Sequence, residues 1–195
     1  MSESRLDSVV TAYVAAFGQP DRTLRRSLPA SGDEIRVLAY LPSEEDQEDP
    51  DGNVTQVSTA GLSLQPIFNG VACEFTVDVR GLLDDDSVEA LADAFAEMSS
   101  SPRLFDNLQI RADLTLPTFR RFTTAMLIDW NATYEFRLPI EGRDVGLLRI
   151  VPLFSAEAAF VEASDDRRMA YLALVSRGLR ATDPDREPVN LGSLG

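Results

Sequence analysis

Residues 145–154 read Val-Gly-Leu-Leu-Arg-Ile-Val-Pro-Leu-Phe, and residues 155–162 follow as Ser-Ala-Glu-Ala-Ala-Phe-Val-Glu. The first run is short, nearly continuous in apolar character and rich in large and branched aliphatics. That is the pattern of a strand covered on both faces. Pro152 removes a ladder donor and is expected to stop the strand. Ser155 is placed as an N-cap, and Glu157 falls in the first turn, where a carboxylate suits the helix dipole. A central strand therefore ends abruptly and hands the chain to a helix.

Other elements follow from periodicity. Leu6, Val9, Val10, Tyr13 and Phe17 recur at helical spacing, with Gly18 and Pro20 as stop signals. Residues 35–41 read as a strand ending at Pro42, residues 43–53 as a mobile acidic loop, and residues 54–58 as a further strand. Cys73, Phe75, Val77 and Val79 alternate with Glu74, Thr76, Asp78 and Arg80, which predicts a strand with one inward and one charged, exposed face. A helix is expected from Asp86, with Glu89 completing a capping box and Val88, Leu91, Ala92, Phe95 and Met98 as its buried stripe. Residues 105–116 read as loop with a short strand near 108–110. Residues 122–129 and 133–138 read as paired strands joined through Trp130-Asn131-Ala132. A last helix covers about 166–179.

The chain has 195 residues, 44% of them hydrophobic, and no composition break that demands a boundary. One domain of this length buries roughly 70% of its unfolded surface and needs no staple. Cys73 is the single cysteine, so no internal disulfide forms. The acidic N-terminus lacks the apolar core of a signal peptide. No stretch approaches the roughly 18 apolar residues of a span. A soluble, cytoplasmic protein is the expectation.

The formal net charge is -14, and all 18 basic residues are arginine; lysine and histidine are both absent. Without histidine there is no Ser-His-Asp or Cys-His arrangement. Without lysine there is no Walker phosphate loop, Schiff base or Ser-Lys dyad. One cysteine and no histidine remove the usual zinc site. Asp49, Asp51 and Asn53 start like a calcium loop, but Val54 and Ala60 occupy its glycine and glutamate positions. The expectation is no metal, no cofactor and no catalytic residue. Affinity for nucleic acid comes from neutralising phosphates, so a nucleic-acid partner is not expected. A basic protein partner is the one that this field attracts. Trp130, beside Asp129 at the expected hairpin tip, is either an exposed anchor or a ring folded back onto the sheet.

Several pieces in order resemble one family, the suppressor of fused domain in its bacterial form. The turn Ser58-Thr59-Ala60-Gly61-Leu62-Ser63 matches the family's Ser/Thr-x-Gly-Leu-Ser turn. Cys73-Glu74-Phe75-Thr76-Val77 matches its amphipathic strand, and Val88-Glu89-Ala90-Leu91-Ala92 the first turns of its helix. The run from Leu148 to Glu157 matches the apolar strand that ends in Val-Pro-Leu before a Glu-bearing helix. The resemblance covers about residues 35–174. It departs after Ser63, where Leu64-Gln65-Pro66-Ile67-Phe68 replaces the polar and aromatic residues of the animal protein's peptide-binding region.

The resemblance implies a single α+β domain with a mixed, mainly antiparallel sheet flanked by helices. It is expected to span residues 1–181, with 182–195 as a flexible tail. The animal relatives bind a short peptide of a transcription factor by strand addition. The stand-alone bacterial relatives look like immunity proteins encoded beside polymorphic toxins. The leading expectation is a non-enzymatic module that neutralises a basic toxin domain, with Gln65, Ile67, Phe68, Asp129 and Trp130 as partner-binding residues. The alternatives are an adaptor that holds a peptide of an endogenous regulator and, behind it, a carboxylate-dependent hydrolase.

Overall fold

The computed structural model describes residues 3–49, 52–65, 73–99, 109–111, 114–129 and 138–192. Helix α1 (Glu3–Phe17) is followed by strands β1 (Arg22–Ser27) and β2 (Glu34–Tyr40), a short helix α2 (Glu44–Glu48) and β3 (Val54–Ala60). A 3-10 turn (Leu62–Leu64), β4 (Cys73–Arg80), α3 (Asp85–Met98), β5 (Gln109–Arg111) and β6 (Thr124–Asp129) come next. The chain continues through β7 (Leu138–Ile140), β8 (Arg143–Leu153), α4 (Ser155–Glu162) and α5 (Arg167–Ser176). The eight strands form one sheet in the order β1-β2-β3-β4-β8-β6-β5, with β7 paired to β8 off that path. The β4–β8 pair is parallel and the other pairs are antiparallel. This is the mixed, mainly antiparallel α+β domain expected of the sequence.

Both faces of the sheet are covered, each by the helices whose stripes fit it. On one face Val88, Leu91, Ala92 and Phe95 of α3 pack on Val37, Val57, Phe75 and Val77, and the cluster runs on to Leu127, Leu148 and Ile150. The Phe75 and Phe95 rings lie 6.5 Å apart, and truncating such a core ring costs about 3–5 kcal/mol. The opposite face is roofed in two pieces. Val9 and Tyr13 of α1 join β7 over Leu38, Ala60 and Leu147. Helices α4 and α5 cover Met126, Ile128, Val151 and Leu153. The β8 run is central, as its composition predicts, because β4 lies on one side and β6 on the other.

Several expectations are corrected. Pro152 lies inside β8, opposite Ala125. Its carbonyl accepts from Arg186 Nη2 at 3.0 Å, beyond the end of the β4 ladder at Arg149, so no ladder donor is missed. The acidic loop contains helix α2, capped by Ser43 and Asp46 in a reciprocal box. Helix α3 is capped by Asp84, whose carboxylate accepts from Ser87 N at 2.8 Å, so it starts before Asp86. Helix α4 uses Phe154 as its N-cap, with Glu157 accepting the Phe154 N–H at 2.9 Å. Strand β6 pairs with β8 along its length and with β5 at Ala125, Met126 and Leu127. Residues 130–137, including the expected hairpin tip, lie outside the described residues.

The expected loose tail is also corrected through residue 192. Arg186 and Val189 are buried, and Arg80 N donates to Thr182 O at 2.7 Å. The segment stays down because it carries the counter-ion of a carboxylate in the core.

Candidate functional site

Strand β4 reads as half exposed, yet Glu74 and Thr76 are fully buried. The reason lies in the turn that follows β3. Glu74 accepts hydrogen bonds from Gly61 N at 3.0 Å and Ser63 N at 2.9 Å through Oε1. Through Oε2 it accepts from Thr59 Oγ1 at 2.7 Å and Leu62 N at 3.1 Å. Thr59 Oγ1 in turn accepts from Phe75 N at 2.8 Å. The carboxylate is thus the clasp of the Gly-Leu-Ser turn. Gly61 sits at φ 110°, in the left-handed region. A Cβ there would also lie 2.5 Å from Leu6 Cδ1 of α1. No cation takes part among these partners, and burial raises the Glu74 carboxyl above its ordinary value against the pull of the Ser63, Thr59 and Gly61 donors.

A polar tract continues on that face, between the two roofs. Ser58 Oγ donates to Thr76 Oγ1 at 2.9 Å, and Gln56 Nε2 reaches the same oxygen at 3.2 Å. Arg149 Nη2 lies 2.9 Å from Asp78 Oδ2. Burial raises the Asp78 carboxyl, with the Arg149 charge pulling the other way. Burial also pushes the Tyr40 phenol up to about 12.

A second buried carboxylate closes the other half of the fold. Arg186 meets Glu157 through two parallel contacts, Nη1–Oε1 at 2.7 Å and Nη2–Oε2 at 2.6 Å. Val189 N adds a donor at 2.8 Å. The guanidinium lies over the Phe122 and Phe154 rings, at 4.9 and 5.1 Å from their centroids. Burial pushes Glu157 up, but the Arg186 bonds and the Val189 and Phe154 N–H groups outweigh it and hold the carboxyl below its ordinary value.

One end of the sheet gathers a cluster of acids. The end of the sheet where β1 and β3 begin and β2 and β4 finish carries Asp21, the acids of residues 44–49 and Asp84, Asp85 and Asp86, all exposed. The arginines of these strand ends are occupied, Arg22 by Asp85 and Arg80 by Asp183 at 3.7 Å. A cleft of about 430 Å³ opens beside them. Val79, Leu83, Ala90, Pro117 and Pro184 form its apolar wall, and Asp84, Asp86, Arg80 and Arg120 contribute to its lining. The outer edge of β1 is a separate feature. Leu28 N bonds Asp33 O, and Arg26, Leu24 and Arg22 lie opposite Ile35, Val37 and Ala39 in the same register, so alternation turns the backbone groups of Thr23, Arg25 and Ser27 outward. Among the described residues no strand pairs with that edge.

The residues singled out in the sequence fall elsewhere. Gln65 ends the 3-10 turn, donates its N–H to Leu62 O at 2.9 Å and is buried. Asp129 is the last residue of β6, opposite Leu148. Both lie at the end of the sheet opposite the acidic one, with β4 and β8 between them. Ile67, Phe68 and Trp130 lie outside the described residues. Cys73 is buried on the α3 face with Phe75 and Val77. No group of three or more potential metal ligands occurs among the described residues. No helix among them is long and apolar enough to cross a membrane.

No family model matches the sequence, and no curated protein matches it. Solved structures do. A suppressor of fused homologue from Neisseria gonorrhoeae superposes with a TM-score of 0.69 at 12% identity, over 98% of this chain and 100% of that one. The Sufu–Fu complex gives 0.59 at 14% identity over 95% and 90%. Drosophila Suppressor of Fused gives 0.55 at 15% identity, over 93% of this chain and 49% of the fly protein. The chain has the suppressor of fused fold, spanning about half the length of the fly protein.

Proposed function

We propose that this chain is a non-enzymatic protein-binding module that neutralises a basic toxin domain, docked on the acidic end of the sheet. The cluster of acids at that end carries this reading. A net charge of -14 spread evenly would serve solubility. Acids clustered at one end, with Asp84 and Asp86 at the rim of an apolar-walled cleft, orient an approaching basic surface and offer an apolar patch where contact is made. A fold shared with the Sufu–Fu complex supports protein binding. Burial supports the non-enzymatic part. The most enclosed carboxylates, Glu74 and Glu157, have their oxygens taken by structural donors. Of the residues assigned a partner-binding role from sequence, Gln65 and Asp129 lie at the opposite end, and Ile67, Phe68 and Trp130 lie outside the described residues.

The test is capture of partners from a native lysate on the immobilised chain. It is run beside a variant with the acids of residues 44–46, 48 and 49 changed to their amides. Retention of one folded basic domain, lost tenfold or more in the variant, and inhibition of that domain's toxicity by the chain are the expected results. Equal retention by the variant overturns the acidic-end placement, and an uninhibited partner overturns neutralisation.

The outward-facing backbone of β1 favours a second reading, an adaptor that adds a peptide strand to this edge. Capture of a regulator through a short, isolated segment, in place of a folded domain, decides for it.

A further inference from the structure

Leu82 is 55% exposed, the one large hydrophobic side chain outside α5 left so open among the described residues. Its backbone is nonetheless fixed from both sides. The hydroxyl of Thr55, a fully buried residue, donates to Gly81 O at 2.7 Å and accepts from Leu83 N at 3.2 Å. Gly81 N donates to Asn53 O at 2.8 Å. Arg80 and Leu83, on either side of this connector, line the cleft at the acidic end. One wall of the cleft is therefore set before a partner arrives, and little order has to be gained on docking.

The cleft holds about 430 Å³, enough for a bulky side chain, and its apolar wall is assembled from β4, α3 and the segments around residues 117 and 184. Asp84 and Asp86 stand on the α3 side. Hydrogen bonds from Ser87 hold the Asp84 carboxyl below its ordinary value. Asp86 has no ion-pair partner among the described residues. Arg80 is answered by Asp183 at 3.7 Å. Arg120, on the Pro117 segment, donates through Nε to Pro117 O at 3.3 Å and has no carboxylate beside it among the described residues. A basic group is therefore drawn to the α3 side of the cleft and repelled from the Pro117 side. We infer that the cleft is a socket for one large apolar side chain of the partner, with basic residues on one side of it only. The apolar side chain seats on Val79, Leu83, Ala90 and Pro184, and the basic residues beside it meet Asp84 and Asp86. The inference rests on the acidic-end docking proposed above and adds what the partner must present there. A smooth basic surface would answer the acids and leave the apolar wall uncovered. An anchor with a basic flank buries that wall inside a charged rim, which is how the energetic centre of an interface is built.

Calorimetric titration of the full chain at low salt tests this, with two acetylated and amidated peptides, Arg-Arg-Trp-Gly-Gly and Arg-Arg-Ser-Gly-Gly. The tryptophan peptide is expected to bind about tenfold more tightly or better, the worth of one buried apolar side chain. Ala90→Gln puts a good helix former at a half-buried position of α3, fills the socket and removes that ratio. Asp86→Asn weakens both peptides about two- to fivefold and leaves their ratio unchanged. Equal affinities for the two peptides, or a ratio that survives Ala90→Gln, overturn the socket and leave acidic-end docking standing. Undiminished binding by Asp86→Asn overturns the placement of the basic flank. Binding of neither peptide also overturns the socket, and capture of a folded basic domain remains the separate test of the docking itself.

Discussion

Glu74 and Glu157 are both fully buried, and both hold a stretch of backbone against the sheet. They differ in what answers the charge. Glu74 is met by three N–H groups and a hydroxyl. Glu157 is met by two N–H groups and the paired nitrogens of Arg186. Neutral donors offset burial only in part, so the first carboxyl is raised; a guanidinium at bonding distance reverses the sign, so the second is lowered. At these two sites the paired Arg186 contacts make the difference, whereas the single Arg149 contact leaves the buried Asp78 carboxyl raised.

The largest effect should come from breaking the charged member. Arg186→Met leaves Glu157 buried without its cation and releases residues 182–192. A loss of about 3–5 kcal/mol is expected, read from urea unfolding at neutral pH. A loss below 1 kcal/mol would show that the tail does not depend on the pair.

Breaking the neutral member comes next. Glu74→Gln keeps the volume but turns an NH2 toward backbone N–H donors that need an acceptor. About 1–3 kcal/mol should be lost, with faster amide exchange at Gly61 and Ser63 as the local readout. Unchanged exchange there would show that the turn holds without its clasp.

The comparison sharpens with pH. Glu157 is lowered from an ordinary 4.5, so its contribution is full above that value and is lost as pH falls through the folded pKa. Glu74 is raised from the same value, so its contribution is full below it and is lost as pH rises through the folded pKa. Between about pH 3 and 7 the stability gap from wild type to Glu157→Gln should widen, and the gap to Glu74→Gln should narrow. Slopes of the same sign would mean that the two carboxyls do not differ as their partners require.

The smallest effect belongs to the exposed ion pairs. Arg26 meets Glu89 and Asp93 of α3 on the outside of β1. Arg26→Ala should cost under about 1 kcal/mol and less in high salt, because solvent screens the pair. A cost rivalling that of Arg186→Met would erase the distinction between buried and exposed charge.

The sequence by itself determined the elements whose signal is local. The stripe of α1, the stripe of α3, the doubly covered β8 and its hand-over to α4 are all legible. Each is a periodicity or stop signal within a few residues. The Gly-Leu-Ser turn was legible as a motif, though not the reason for it. That reason is Glu74, more than ten positions away in the chain and read as a solvent-facing charge. Strand β1, with three arginines and one leucine in six residues, gave no apolar signal. It is a strand because β2 pairs with it and α3 answers its charges. Arg186 looked like part of a loose tail until the fold brought it to Glu157, 29 residues earlier. Tertiary structure alone decided these, and it alone gathered acids from three separate segments onto one end of the sheet. The physical reason is the same in each case. A local pattern reports which face of an element is apolar, whereas the fate of a polar or charged side chain depends on a partner that only folding brings within reach.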